Sequence, residues 1–200
     1  MNEAYKMKRK GQIHVILNQD DEPVRDAKSG KFFINEAERE KHYPLEKIEK
    51  EMDALVGMSE LKRLIKEIYA WLYINKCREE QGLKVERQAL HMLFKGNPGT
   101  GKTTVARLLG KLFYEMNVLS KGHLVEAERG DLVGEYIGHT AQKTRELVKK
   151  AMGGILFIDE AYSLARGGEK DFGKEAIDTL VKAMEDQHHN FMLILAGYSH

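Results

Sequence analysis

Cysteine is nearly missing from this chain. Cys77 is the single one in 200 residues, so no disulfide can close within it and a reducing compartment is expected. A dominant sign of charge is missing too. Thirty-two Lys and Arg stand against 31 Asp and Glu, which leaves no bulk basic footprint for nucleic acid or an anionic membrane. No apolar run approaches the ~20 residues that span a bilayer, and the longest, Phe191 to Ala196, is strand-sized. At the N-terminus Lys6, Lys8, Arg9 and Lys10 give way to mixed sequence without a signal-peptide core. The cytoplasm is therefore the expected location. Internal repeats and low-complexity tracts are also absent, and the length suits one domain with an appendage.

What is present centres on Gly96-Asn97-Pro98-Gly99-Thr100-Gly101-Lys102-Thr103-Thr104. The run fits G-x-x-x-x-G-K-[ST], the phosphate-binding loop of nucleotide hydrolases. Average residue usage gives a chance match in on the order of one chain in a hundred of this length. The residue types suit an anion. Three glycines allow positive φ, so successive N–H groups can turn inward, and a following helix adds its positive end. Lys102 supplies a point charge for the β- and γ-phosphates of ATP, and the Thr103 hydroxyl can ligate Mg²⁺. Leu90 to Lys95 reads as a strand before the loop, and Val105, Leu108, Leu109, Leu112 and Phe113 form a helical stripe after it. A glycine-rich turn with a stray lysine would not need that context.

Residues 1–50 have a different character. Gln12–Leu17 and Lys31–Ile34 are short strand candidates around a polar connection, which suggests a small hairpin. Two strands alone are marginal in water, so the pair must dock on something. Asn35 to Lys50 is charge-rich and helical in pattern, interrupted at Pro44. This stretch reads as an accessory or partner-contacting segment, with a nucleotide-binding core over 51–200. Ser59 opens a long helix with Leu61, Ile65, Ile68 and Leu72 on one face, and Gly82 stops it. Beyond the loop, strands are expected at 123–127, 155–158 and 191–195. Helices are expected at 140–152, with Ala141, Thr144, Val148 and Ala151 inward, and at 173–185, with Ala176, Ile177, Leu180, Val181 and Met184 inward. Apolar strands alternating with helices predict a three-layer α/β core built on a parallel sheet.

Ile155-Leu156-Phe157-Ile158 runs into Asp159-Glu160. Acids at the C-terminal end of a buried parallel strand sit where α/β sheets place ligands. Asp159 suits a Mg²⁺ ligand, and Glu160 suits a general base for the attacking water. Either acid could instead cap a helix, but the upstream phosphate loop favours the catalytic pair.

Gly96–Thr104 together with Ile155–Glu160 resembles an AAA+ ATPase, a P-loop NTPase fold. Asp53–Met58, with Val56 and Gly57, is similar to the segment that lines the adenine pocket there. Gly134–Thr140, Asp159–Leu164 and Leu195–Tyr198 resemble the branch that holds the red-type Rubisco activases and a sporulation ATPase. The resemblance is strong from about residue 45 onward and weaker before it. It implies a homo-oligomeric ring, usually a hexamer, that spends ATP with Mg²⁺ to remodel a protein client; a role on nucleic acid is not expected, because no basic stripe with interleaved aromatics appears. Nucleotide would lie between subunits, completed by a neighbour's arginine. Tyr136, with Ile137, would fall in the loop facing the central pore, and Gly134 and Gly138 suit a loop better than a buried tyrosine. Residues 165–172 would take the place of a second pore loop.

Two departures stand out. Tyr198, beside Ser199, occupies the strand tip where the family places a polar sensor. The arginine finger, fifth strand and helical lid do not follow before His200. The chain thus reads as a fragment, expected to bind ATP weakly and hydrolyse it poorly. One side of the Leu90–Phe94 strand is expected to be an unpaired edge. The competing reading is a nucleotide-regulated protein-binding module without turnover. A small-molecule P-loop kinase is disfavoured by the lack of an Arg-rich lid after the loop.

Overall fold

A computed structural model describes residues 13–17, 43–53, 59–85, 88–136, 138–166 and 171–198. The elements in order are β1 (Ile13–Leu17), α1 (Tyr43–Asp53), α2 (Ser59–Glu80), β2 (Met92–Gly96), α3 (Lys102–Glu115), β3 (Leu124–Ala127) and the short α4 (Arg129–Leu132). There follow α5 (His139–Ala151), β4 (Ile155–Ile158), a 3₁₀ turn (Ala161–Ala165), α6 (Gly173–Asp186) and β5 (Met192–Gly197).

All five strands run parallel in the order β1-β2-β5-β4-β3. The pleat sends alternate side chains to opposite faces. Ile155 and Phe157 of β4, with Met192 and Ile194 of β5, join one core cluster under α1, α2 and α3. Leu156, Ile158 and Leu193 join the other, under α5 and α6. All four β4 residues are buried, as a central parallel strand covered on both sides requires. The expected three-layer α/β core is the architecture found.

The α3 stripe is as the sequence suggests: all five of its apolar residues are buried. Elsewhere the register holds, with Thr144, Val148 and Ala151 buried on α5 and Ala176 and Leu180 on α6, and single positions differ. On α5 it is Thr140, not Ala141, that is fully buried, because its hydroxyl accepts the Gly134 N–H at 2.9 Å. A satisfied hydroxyl costs little to bury. On α6, Val181 lies at the solvent edge of the stripe and is exposed. α2 ends where Gly82 stands, with the Leu83 N–H donating to the Arg78 carbonyl and the Gly82 N–H to that of Glu79. α1 begins at Tyr43, so Pro44 falls in a first turn, where its missing N–H has no helical partner to lose. That helix runs on to Asp53, and Ile48 and Met52 pack into the first core cluster.

One expectation is overturned. The free edge foreseen beside Leu90–Phe94 is paired: β1 lies parallel to β2 in register Ile13↔Met92 to Leu17↔Gly96. The partner foreseen for this segment in a hairpin, Lys31–Ile34, lies outside the described residues. Non-local pairing satisfies the edge N–H and C=O groups that a four-stranded sheet would expose.

His91, just before β2, is buried and stitches two strands together by accepting the Leu193 N–H on Nδ1 at 3.0 Å. Burial is the main cause that pushes its pKa below the ordinary 6.5, and the nearby His188 adds to the effect. The folded state thus binds a proton less readily than the unfolded chain. Stability should be full above about 6.5 and fall as pH drops through that value. Urea unfolding from pH 7.5 to 5.5 should show the midpoint declining, and His91→Gln should flatten that slope. An equally steep slope in the variant would assign the effect elsewhere.

Candidate nucleotide site

The registers place Gly96, Ile158, Gly197 and Ala127 at one edge of the sheet, because every strand points the same way. Whatever follows those residues therefore converges. The phosphate-type loop leaves β2, the Asp159-Glu160 turn leaves β4, and Tyr198 leaves β5 between them.

The loop turns at two glycines rather than three. Gly99 and Gly101 have φ of +76° and +82°, whereas Gly96 completes β2 in strand conformation. A Cβ at Gly99 would meet nothing within 4 Å, so glycine is favoured there by conformation and not by crowding. Thr100 is buried, and its hydroxyl donates to the Asn97 carbonyl at 2.8 Å, bracing the turn. α3 begins at Lys102 with no side-chain cap and no acid in its first turn. Its first N–H groups lack helical acceptors and favour an anion. The Lys102 side chain folds back into the loop, 8% exposed, and its ammonium donates to the carbonyls of Gly96 and Asn97, each at 3.0 Å. An ammonium has three donors, so one remains for a phosphate oxygen. Thr103, half-buried, and the exposed Thr104 follow in the first turn of α3.

Across β5, the backbone N–H of Asp159 donates to the Ala127 carbonyl at 3.0 Å, holding the end of β4 to β3. The half-buried Asp159 carboxylate accepts the Glu160 N–H at 2.9 Å. Glu160 is exposed and left-handed, with φ 47° and ψ 40°. That conformation costs a non-glycine residue about 1–2 kcal/mol and redirects the chain sharply into the 3₁₀ turn. Its carbonyl accepts the Ser163 N–H at 2.8 Å. A hydroxyl at Thr103 and a carboxylate at Asp159 form the hard-oxygen donor set that Mg²⁺ prefers. With the lysine and the free amides, these residue types fit a metal–triphosphate.

Tyr198 meets Tyr162 edge to face, with centroids 4.9 Å apart, and Arg166 lies 4.3 Å above the Tyr162 ring. Desolvation first, then the hydrogen bond to Tyr198 and the Glu160 charge, push the Tyr162 phenol up to about 12. It therefore stays neutral at physiological pH. Tyr162 and Arg166 fall within the stretches 159–164 and 165–172 noted for their family likeness, but sequence reasoning assigned neither a role of its own. Their i, i+4 spacing was the available signal.

Tyr136 is 65% exposed, so it is no core tyrosine. Its ring meets His139 edge to face at 5.4 Å. The base of its loop is held by α5: Lys143 donates to the carbonyls of Gly130 and Val133 at 2.8 and 3.0 Å. Val56, Gly57 and Ile137 lie outside the described residues, as do 167–170 within the other candidate loop.

Residues 92–200 match the ATPase family associated with various cellular activities (AAA), and the chain belongs to that family. Among curated proteins it is similar to stage V sporulation protein K of Bacillus subtilis (strain 168), 69% identical over 204 residues, covering 100% of this chain and 62% of that protein. It is also similar to protein CfxQ of Xanthobacter flavus, 52% identical over 147 residues, covering 73% of this chain and 46% of that one. A third relative is the chloroplastic ribulose bisphosphate carboxylase/oxygenase activase of Cyanidioschyzon merolae (strain NIES-3377 / 10D), 50% identical over 145 residues, covering 72% and 50%. The chain thus spans less than two thirds of the length of these relatives.

The left-handed backbone at Glu160 sets a stability test. Glu160→Gly should remove the steric cost and raise stability by about 1 kcal/mol or less once the unfolded-state entropy of glycine is counted. Chemical denaturation reads this directly. A clear loss of stability would mean that the carboxylate itself holds the turn.

Proposed function

We propose that this chain binds ATP with Mg²⁺ and hydrolyses it to drive the remodelling of a protein client in the cytoplasm, as one subunit of a homo-oligomeric ring, a hexamer by analogy with its family. The observation that carries the proposal is the convergence of the Lys102 loop and the Asp159-Glu160 turn on one sheet edge, β5 alone between them. Family membership supports it. Similarity to a sporulation protein suggests a role in sporulation, and the activase relative is named for acting on another protein.

In this reading the Gly96–Thr104 loop holds the β- and γ-phosphates through main-chain N–H groups at its glycines and at the start of α3, together with the Lys102 ammonium. Val56 and Gly57 border the adenine. Thr103 and Asp159 hold the metal, which when bound supplies positive charge against the phosphate oxygens. Glu160 accepts a proton from a water whose oxygen attacks the γ-phosphorus as the bond to the ADP oxygen breaks. Tyr136 and Ile137, on the loop after α4, would grip the client, and a neighbouring subunit's arginine would complete the charge balance.

Two variants separate binding from chemistry. Lys102→Ala should abolish saturable binding of a fluorescent ATP analogue. Glu160→Gln should keep that binding while phosphate release falls about 10²-fold or more. Loss of binding in Glu160→Gln would remove the proposed division of labour. Tyr136→Ala should leave hydrolysis within about threefold of the parent. A loss as deep as that of Glu160→Gln would place Tyr136 in the chemistry rather than at a client. Light scattering with Mg²⁺ and ATP should report a ring, whereas a persistent monomer would favour a nucleotide-gated binding module.

A further inference from the structure

Arg129 opens α4, directly after β3, and no step above uses it. Its guanidinium reaches two other segments. Nη1 donates to the Ser163 carbonyl at 2.7 Å, inside the turn that follows Glu160. Nη2 donates to both carboxylate oxygens of Asp171, at 2.6 and 2.8 Å. Asp171 Oδ1 also accepts the Gly173 N–H at 2.7 Å, where α6 begins. These bonds hold the Asp171 carboxyl below the ordinary carboxylate range, Arg129 being the first cause and Gly173 the second. Gly173 is what lets the junction close. A Cβ there would stand 2.8 Å from Arg129 Nη1 and would collide with the Leu164 carbonyl.

Three segments therefore meet at one side chain. The turn at 161–165 carries the exit from Glu160. Residues 171–173 end the connection that follows that turn. α4 leads within a few residues to Tyr136, and its own end is buttressed by Thr144, whose hydroxyl donates to the Leu132 carbonyl at 3.4 Å. A surface ion pair would bring two side chains together and little else. This one is partly buried, two-pronged to a carboxylate, and shared with a backbone carbonyl beside the acid turn. Planar Arg geometry suits that task and Lys geometry does not.

We propose that Arg129 is a positioning residue that links the Glu160 turn to the Tyr136 loop, so that a nucleotide seated at one is felt at the other. The inference rests on the function proposed above, since it needs nucleotide at the acid turn. A merely structural strut would alter stability without separating binding from the loop response.

The test is hydrogen exchange by mass spectrometry on the full chain, with and without saturating Mg²⁺ and ATPγS, in the parent, Arg129→Lys and Asp171→Asn. Lysine keeps the charge but not the fork, and asparagine keeps an acceptor for Gly173 but loses the ion pair. In the parent, nucleotide should slow exchange at both 161–166 and 133–138 by about threefold or more. In each variant the slowing at 161–166 should persist and that at 133–138 should disappear, with the Kd for a fluorescent ATP analogue within about twofold of the parent. A loop response that survives in both variants overturns the proposal. So does a parental loop that ignores bound nucleotide, a parallel loss of affinity, or failure of both variants to fold, each of which makes Arg129 a strut. Absence of saturable binding in the parent would sink the nucleotide reading first, before any variant is compared.

Discussion

The chain must pass from an interior strand of the sheet to a helix within the five residues between Gly96 and Lys102, and the working edge of the molecule depends on that reversal. It requires positive φ at Gly99 and Gly101. It also needs an internal brace, because so short a reversal makes few main-chain hydrogen bonds of its own. Lys102 provides the brace by donating to the carbonyls of Gly96 and Asn97, and Thr100 repeats the device on a smaller scale. One lysine thus shapes the loop and also presents positive charge within it. A shorter or uncharged side chain at that position would forfeit both.

Parallel strands make the rest follow. Because all five point one way, the segments after β2, β4 and β5 gather without long excursions, and each supplies a different kind of group: amides and an ammonium, two carboxylates, a phenol. Glu160 is held in a conformation that its own residue type disfavours. The neighbours that hold it there are the Asp159 carboxylate, the Ser163 N–H and, two residues on, the Tyr162–Tyr198 contact. Backbone strain of this kind persists where the surroundings over-determine it.

Much of this was legible beforehand because it is written in contiguous residues. The loop motif, the α3 stripe and the four apolar residues of β4 each state a local requirement, and the α/β layering follows from their alternation. What was not legible depends on distant partners. Nothing within Ile13–Leu17 says that its neighbour will be Met92–Gly96, since a short apolar run specifies a strand but not which edge receives it. Thr140 reads as polar until Gly134 is known to need an acceptor. The junction at Arg129 joins residues 34 and 42 positions away, and no spacing rule encodes it.

The pairing of β1 also bears on how the chain assembles. β1 meets β2 across 79 positions, from Ile13 to Met92, and β2 meets β5 across 102, from Met92 to Ile194. Closing a long loop costs entropy before any contact repays it. On that ground the nearer pairings, β3 with β4 and β4 with β5, are expected to form before either side of β2 is filled.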